Sequence, residues 1–273
     1  MLLKNEIDFD HLRLQFLQLR GDLAVTPSAS IIIPVNAQGD DLEYALQILA
    51  DIARYRGKHS FEVILNINNY PTDTPPPELE SYGNLGIRVI GIPNVKRPDE
   101  KVWISARMAG VKIAASGNLI FPDADERIAN PTEMLDWFVE QLNGGAQLAY
   151  ARVTYYDLAD TLSLQVRIMI HHLANTFKRI ILGIPTARGG SYAFQRSTLL
   201  QLYEKRMLYD DINVGPAVKS IGGKVVYSGA FGSDKLTILT SGRKIESGWL
   251  PMINYLRWRW EYNFRVLRRK PKS

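Results

Sequence analysis

The sequence predicts an α/β protein with a layered, mostly parallel sheet and helices on both faces. Two observations support this prediction. Short apolar runs rich in β-branched residues alternate with amphipathic segments of about 10–15 residues, which is the pattern of strand–helix–strand units. The 273 residues are 46% hydrophobic and show no linker-like change of composition, so the chain can bury the core of a single globular domain.

The first half of the chain shows this alternation most regularly. The apolar run 30–33 is stopped by Pro34, as expected of a buried strand. Leu42 and Leu46 begin a helical spacing in the next segment, and Pro131 stands at a favourable first position of a later helix. Strands are predicted within 30–36, 61–68, 87–92, 118–122 and 146–156, and helices within 40–55, 100–115 and 131–142.

The second half is less regular. A long, mostly apolar helix is predicted within 160–183, and a glycine turn, a short strand and a helix within 189–203. The stretch 210–227 has an acidic helix start, a helix that ends at Gly222 and Gly223, and a strand. Because crossovers between parallel strands are right-handed, the loops at the carboxyl ends of the strands are expected to hold the functional residues.

The charge of the chain argues against one class of partner. Residues 257–273 contain seven lysines and arginines against Glu261, so the net charge of +5 resides in the tail and the remainder is close to neutral. A nucleic-acid-binding protein carries basic charge across a binding face, so nucleic acid is not an expected partner. Without cysteine, the chain has no disulfide scaffold, thiolate nucleophile or cysteine-ligated metal site.

The expected location is cytoplasmic. Residues 1–20 carry too many charges for a secretory signal, and no apolar run approaches the ~20 residues that cross a bilayer. The tail 249–273 has two interpretations: it lies on an anionic membrane surface, at the inner face of the membrane, or it packs on the protein's own core. Both rest on apolar residues at helical spacing, which are Trp249, Ile253, Leu256, Trp260, Phe264 and Leu267.

The stretch 119–128, LIFPDADERI, carries two carboxylates directly after a predicted strand. Asp123 and Asp125 follow the break at Pro122 with one alanine between them. Carboxylate oxygens are the ligands that Mg²⁺ or Mn²⁺ prefers when substrate phosphates complete the shell. Such a metal would neutralise charge that develops on a phosphate leaving group. Taken alone, the pair is more often a loop cap or the acidic start of a helix.

Four segments occur in the order found in a known enzyme family. Together they resemble the family 2 glycosyltransferases, which use nucleotide sugars and have the Rossmann-like GT-A fold. The resemblance runs from Ser30 to Val226, which is about three quarters of the chain. The segments are 30–36 (SIIIPVN), 106–128 (ARMAGVKIAASGNLIFPDADERI), 189–199 (GGSYAFQRSTL) and 210–226 (DDINVGPAVKSIGGKVV).

The resemblance implies roles around the nucleotide of a nucleotide-diphosphate sugar. Arg107 matches an arginine that lies beside the nucleotide, where a guanidinium can bind phosphate or stack on a base. Asp123 and Asp125 match the Asp-x-Asp motif that holds ribose and metal, and Asp125 is the stronger candidate for the metal ligand. The residues matched to the family's turn at the end of the first strand are Pro34, Val35 and Asn36.

The resemblance also implies a catalytic base. Asp210 and Asp211 match the first two acids of the family's Glu-Asp-x-Asp-Leu pattern, Asp211 at the position of the base, and Asn213 replaces the later aspartate. A base is needed because the acceptor hydroxyl loses its proton as it attacks the anomeric carbon. The acidic pair alone would equally suit the positive end of a helix. Arg243 matches an arginine that would reach the pyrophosphate if its loop folds over the donor.

The chain departs from the family pattern at the donor. Many members carry Asp-Asp-Gly-Ser after the second strand to hold uracil and ribose, whereas Asn68 and Asn69 stand in that region here. Asparagine both donates and accepts hydrogen bonds, so it does not copy a carboxylate, and the donor base is not implied. Adjacent His171 and His172 point about 100° apart on a helix, so they are expected to pack or face solvent rather than share an ion.

The leading hypothesis is an inverting, metal-dependent glycosyltransferase with Mg²⁺ or Mn²⁺ as cofactor. It would move a hexose from a nucleotide-diphosphate sugar to a glycan or lipid-linked acceptor, as in the synthesis of cell-envelope polysaccharide. One alternative is a non-catalytic nucleotide-sugar-binding protein, because Asn68, Asn69 and Asn213 replace acids. The other is a nucleotidyltransferase, which is less favoured because the first strand is followed by a single glycine instead of a glycine-rich phosphate loop.

This hypothesis divides the chain into three parts. Residues 1–29 would form a helical extension, and residues 249–273 the basic, aromatic tail. Between them, residues 30–248 would form the glycosyltransferase domain, with a nucleotide-sugar-binding half at 30–130 and an acceptor-binding half at 131–248.

Overall fold

The strands of the protein form two sheets. The structure is a computed structural model that describes residues 8–22, 24–38, 41–70, 78–93, 102–181, 183–185, 190–208, 213–229, 234–242, 246 and 248–268. Its strands are β1 Ala29–Asn36, β2 Phe61–Tyr70, β3 Arg88–Pro93, β4 Asn118–Phe121, β5 Arg127–Ile128, β6 Leu148–Tyr150, β7 Arg152–Tyr155, β8 Tyr192–Gln195, β9 Val225–Tyr227 and β10 Thr237–Thr240. The main sheet has the order β3-β2-β1-β4-β8-β6-β9, and the small sheet has the order β5-β10-β7.

Strands β1, β2, β3, β4, β6 and β9 of the main sheet run in one direction, and β8 is antiparallel to both of its neighbours. The predicted α/β architecture with a mostly parallel sheet is confirmed. The helices are α1 Phe9–Arg20, α2 Asp41–Ala53, α3 Glu78–Gly83, α4 Val102–Ile113, α5 Pro131–Asn143, α6 Leu162–Ile180, α7 Arg196–Glu204, α8 Val214–Ser220 and α9 Trp249–Arg268.

The main sheet is buried on both faces because helices cover each of them. Successive side chains of a strand point to opposite faces, so Ile31 and Ile33 pack with α1, α2 and α5, whereas Ile32 packs with α4, α7 and α8. This explains why β1 is apolar at consecutive positions rather than alternating, as is usual for a central parallel strand.

The N-terminal helix is part of the core. Helix α1 begins after Asp8, whose side chain accepts a hydrogen bond from the backbone N–H of His11. Its residues Leu12, Phe16 and Leu19 are buried against the same face of the sheet as α2. Helix α1 therefore belongs to one of the helical layers that cover the main sheet.

The prediction of one strand over 146–156 is wrong. The chain leaves the main sheet after Tyr150, and the residues from Arg152 onward pair with β10 in the small sheet. At the junction, the N–H of Ala151 donates to the carbonyl of Ser191 at 2.8 Å, and that of Arg152 to Ser228 Oγ at 2.9 Å. The sequence pattern does not show this change because it depends on partner strands that are distant in the chain.

The C-terminal tail forms helix α9, which packs against α6. Met252 is buried, and the ring of Tyr255 makes an edge contact with His171. His171 is itself buried and shares a 2.7 Å hydrogen bond with the Tyr155 hydroxyl, so it is a packing residue as expected. None of the helices in the described ranges has both the length and the apolar composition needed to cross a bilayer.

Candidate functional site

Three neighbouring strands end at the same edge of the main sheet. β1 lies between β2 and β4 and is parallel to both, so their carboxyl ends meet there. Asn36 pairs in register with Asn68, and Asp123 follows the end of β4 by two residues. Of the turn residues predicted to meet the nucleotide, Val35 is buried in the core, Pro34 is half-buried, and Asn36 stands last in the strand.

Asparagine side chains fasten the ends of β1 and β2 together. The Asn69 amide donates to Asn36 Oδ1 at 2.9 Å, and the same oxygen accepts the N–H of Gln38 at 3.1 Å. Asn69 also has a φ of 62°, a left-handed conformation that asparagine tolerates better than most residues. An ionised aspartate at Asn69 could not donate this bond. The departure from the family's aspartates therefore has a structural cause.

Arg107 and Asp123 form an ion pair at this edge. Arg107 comes from α4 and is only 4% exposed. Its guanidinium pairs with Asp123 Oδ1, donates to the Tyr192 hydroxyl at 2.9 Å, and lies 5.3 Å from the centre of the Tyr192 ring. The structure thus joins two residues that the sequence predicted separately as nucleotide-binding.

The second oxygen of Asp123 binds the backbone. Oδ2 accepts the N–H of Gly190 at 2.8 Å, so both carboxylate oxygens are engaged by protein donors. A side chain at Gly190 has no room, because its Cβ would overlap the backbone of Pro122 and Asp123 and lie 2.7 Å from the Phe121 carbonyl oxygen. Gly190 is therefore required by a close backbone approach.

Glu126 is a site residue that the sequence analysis missed. It is buried, and its Oε2 accepts the N–H of Asp123 at 3.0 Å, so Glu126 holds the backbone of the Asp-x-Asp turn. Burial, and then the nearby charge of Asp123, raises the pKa of the Glu126 carboxyl well above its ordinary value. The sequence showed a third acid next to the pair, but nothing in it indicated that this acid is buried.

Asn66 is a second missed residue. It is fully buried within β2, and its amide donates to the carbonyl of Ala106, the neighbour of Arg107 on α4. This bond fixes α4 against the sheet at the level of the guanidinium. A polar residue in the middle of the apolar run FEVILNIN was the signal that could have revealed it.

Asp125 is half-buried, and its backbone carbonyl accepts the Tyr156 hydroxyl at 3.4 Å. Within the described residues, no three His, Asp or Glu side chains are grouped so as to hold an ion. One or two carboxylates are sufficient for Mg²⁺ or Mn²⁺ when substrate phosphates supply further oxygens. Asp125 is the side chain that could contribute a ligand to such a metal.

Asp210, Asp211 and Arg243 lie outside the described residues. The chain is described again from Asn213, which is buried and donates its amide to the carbonyl of Met207. An aspartate could not donate this bond either. The substitution of the family's later acid at this position is therefore accounted for by packing.

Two cavities lined by described residues lie at different edges of the main sheet. A small pocket opens beside the ion pair, and its mostly apolar walls are Ile104, Arg107, Met108, Phe121, Tyr192, Leu199, Leu208 and Val214. A larger cavity of about 250 Å³ is lined by Arg20, Glu62 and Arg88, where β2 and β3 begin. It lies at the opposite edge of the sheet from Asp123, so its size does not identify the site.

Comparison with known proteins gives structural matches alone, since no family model and no curated protein matches the chain. The mannosyltransferase PcManGT from Pyrobaculum calidifontis, in complex with GDP-mannose and Mn²⁺, superposes with a TM-score of 0.56 over 97% of this chain and 74% of that chain. The two chains share a fold. S. aureus TarS (residues 1–349), with and without UDP, gives a TM-score of 0.48 over 88% of this chain and 69% of that chain.

Sequence identity to all these structures is 13%. The shared fold extends over nearly the whole chain of this protein, which accounts for the layered sheet and the helices on both faces. At such low identity the fold does not determine the reaction. The chemistry has to be argued from the side chains at the carboxyl edge of the sheet.

Proposed function

We propose that the protein is a nucleotide-sugar-dependent glycosyltransferase with a GT-A fold. The observation that carries this proposal is the ion pair of Arg107 and Asp123, which lies at the same carboxyl edge of the parallel strands as Asn36 and Asn69. Ligands of open α/β sheets bind in the crevice outside these ends. The fold shared with a mannosyltransferase that holds GDP-mannose and Mn²⁺ gives further support.

In this proposal Asp125 would hold Mg²⁺ or Mn²⁺, which when bound would supply positive charge for the nucleotide diphosphate that leaves. Each oxygen of Asp123 already accepts a bond from the protein, so its first role is to orient Arg107 and the loop at Gly190; a second lone pair would accept a ribose hydroxyl. Arg107 supplies a buried positive charge near the phosphates. Asn36 and Asn69 offer amide groups to the nucleoside.

Asp211 is the proposed general base, with Asp210 beside it, and Arg243 would contact the pyrophosphate. The base removes the proton of the acceptor hydroxyl while the anomeric carbon is attacked from the face opposite the nucleotide. One displacement of this kind inverts the anomeric configuration. The proposed acceptor is a glycan or a lipid-linked sugar of a family 2 reaction, as in the building of cell-envelope polysaccharide.

The contacts of the asparagines weaken the alternative of a non-catalytic binder. That alternative rested on acids replaced by Asn68, Asn69 and Asn213. Asn69 and Asn213 each donate a hydrogen bond that an ionised aspartate could not make, and Asn68 continues β2, with its carbonyl accepting the N–H of Ala37 at 2.8 Å. The side chains of Asn69 and Asn213 are thus explained by structural contacts, whereas the backbone contact of Asn68 does not depend on its side chain.

Calorimetry against GDP, UDP and TDP, with and without Mn²⁺, tests the donor site. We expect one nucleotide to bind in a metal-dependent way, Asp125→Ala to abolish the metal dependence, and Asp10→Ala, an exposed change on α1, to bind as the wild type does. Absence of binding for every nucleotide and metal would contradict the proposal.

A second assay tests the base. Asp211→Asn is expected to bind the donor with unchanged affinity while losing transfer and donor hydrolysis. Full transfer activity in this variant would remove Asp211 from the role of base while leaving the donor site intact.

A further inference from the structure

Helix α6 turns an apolar face to the outside of the protein. Leu162, Met169, Leu173 and Ile180 are spaced seven, four and seven residues apart, so they share one face of the helix. Their exposed fractions are 78%, 53%, 59% and 59%. Scattered exposed leucines are ordinary, but a continuous apolar stripe along a whole helix marks an interaction surface.

The opposite face of α6 buries three polar side chains together with Leu164. Arg167 reaches the Glu246 carbonyl at 3.3 Å and lies 5.9 Å from the Trp249 ring centre, and His171 bonds the Tyr155 hydroxyl. Lys178 is 1% exposed and lies 5.1 Å from the Trp260 ring centre. A helix at the surface of a soluble domain normally buries its apolar residues and exposes its polar ones. The arrangement in α6 is the reverse.

The apolar stripe continues onto α9. The ring of Phe177, 46% exposed, stacks on Trp260 with 5.9 Å between ring centres. The first turns of α9 expose Trp249, Leu250 and Ile253. Together, the outward apolar side chains of the two helices form the α6–α9 face.

The charge of the two helices indicates what covers this face. Helix α6 contains no acidic residue, but its cations Arg167 and Lys178 are buried, so the positive excess comes from the C-terminal tail, where residues 257–273 contain seven lysines and arginines against Glu261. A second copy of the chain would bring two surfaces with the same excess of positive charge together, which opposes association. An anionic lipid surface has the opposite charge, and it accepts apolar and aromatic side chains at the same time.

We infer that the α6–α9 face docks on an anionic lipid bilayer. Helix α6 would lie in the plane of the interface, with its outward stripe among the headgroups and upper acyl chains. The helix has 19 residues and a length of about 28 Å, so it contributes a continuous apolar edge. This inference does not rest on the proposed transfer chemistry, and it assigns the main contact to α6 rather than to the tail alone.

Vesicle co-sedimentation tests the inference on the full chain. The vesicles are phosphatidylcholine with or without phosphatidylglycerol, and melting temperatures and circular dichroism establish that each variant is folded. The α6 variant replaces three stripe residues: Met169→Gln, Leu173→Gln and Ile180→Gln. The matched control replaces three exposed apolar residues elsewhere: Leu14→Gln, Leu17→Gln and Val25→Gln.

We expect the wild type and the control to bind the anionic vesicles at least tenfold more strongly than the neutral ones. The α6 variant is expected to lose at least tenfold in partitioning, because its side chains no longer transfer from water to lipid. Equal binding of the α6 variant, or no binding by the wild type, would overturn the inference.

Two further measurements begin with the wild type. Brominated phosphatidylglycerol vesicles are expected to quench its tryptophan fluorescence, and the absence of quenching counts against docking. Sedimentation velocity without lipid is expected to show no association through α6. A dimer that the α6 substitutions dissociate would show that a second copy covers this face, and would also overturn the inference.

Discussion

Replacement of Gly190 by alanine tests the architecture of the site directly. The added Cβ would overlap backbone atoms of Pro122 and Asp123, which belong to the loop that carries the Asp-x-Asp motif. Backbone cannot rotate away as a flexible side chain does, so the loop must move. The movement separates the N–H of Gly190 from Asp123 Oδ2, now 2.8 Å apart, and disturbs the ion pair with Arg107.

Two terms set the size of the effect. Overpacking of a tight site costs about 1–3 kcal/mol, and loss of a hydrogen bond to a charged acceptor costs about 1.5–3 kcal/mol. We expect a loss of about 3 kcal/mol in the free energy of unfolding, which for a chain of this size lowers Tm by about 6–12 °C. Nucleotide binding should weaken as well, because the same movement displaces Asp123.

The assay is thermal unfolding followed by nucleotide titration of the folded variant. The matched control is Gly83→Ala on α3, where an added Cβ meets no atom within 4 Å. That control is expected to be neutral or slightly stabilising. If Gly190→Ala melts and binds as the wild type does, the close approach of Gly190 to the Asp123 loop is not a constraint and the reasoning fails.

Three further predictions concern buried charges. Arg107→Lys keeps the charge but loses the planar fork, so nucleotide affinity in calorimetry should fall about tenfold or more; an unchanged Kd would contradict this. The folded-state pKa of Glu126 lies above the ordinary 4.5. The stability that its protonated form provides is therefore fully present below pH 4.5 and is lost as the pH rises from there through the folded-state pKa. Glu126→Gln should therefore gain stability over the wild type at neutral pH and lose the advantage in acid, as measured by Tm against pH. Asp51 is buried and accepts a 2.7 Å bond from Arg127, so Asp51→Ala should lower the free energy of unfolding by about 3–5 kcal/mol. Arg54→Ala removes a half-exposed partner of the same carboxylate and should lower it by under about 1 kcal/mol. Denaturant unfolding measures both.

The candidate site was only partly accessible from the sequence. Arg107, Asp123 and Asp125 were predicted because they match segments of the family pattern, and the structure joins the first two in one ion pair. Glu126 and Asn66 were missed because their roles depend on burial and on a neighbouring strand or helix. Asn66 stands out as a polar residue within an apolar run, but its partner lies 40 residues away in the chain; the partner of Glu126 is only three residues away, but the burial of Glu126 is not visible in the sequence.

The sequence by itself determined the alternation of strands and helices and the mostly parallel sheet. These follow from local periodicity and from strand-stopping residues such as Pro34, which act over a few positions. Tertiary structure decided the break of 146–156 between two sheets, because the partner of each half is a distant strand. It also decided the orientation of α6: periodicity shows that a helix has an apolar stripe, but the packing of Arg167, His171 and Lys178 under α9 turns that stripe outward.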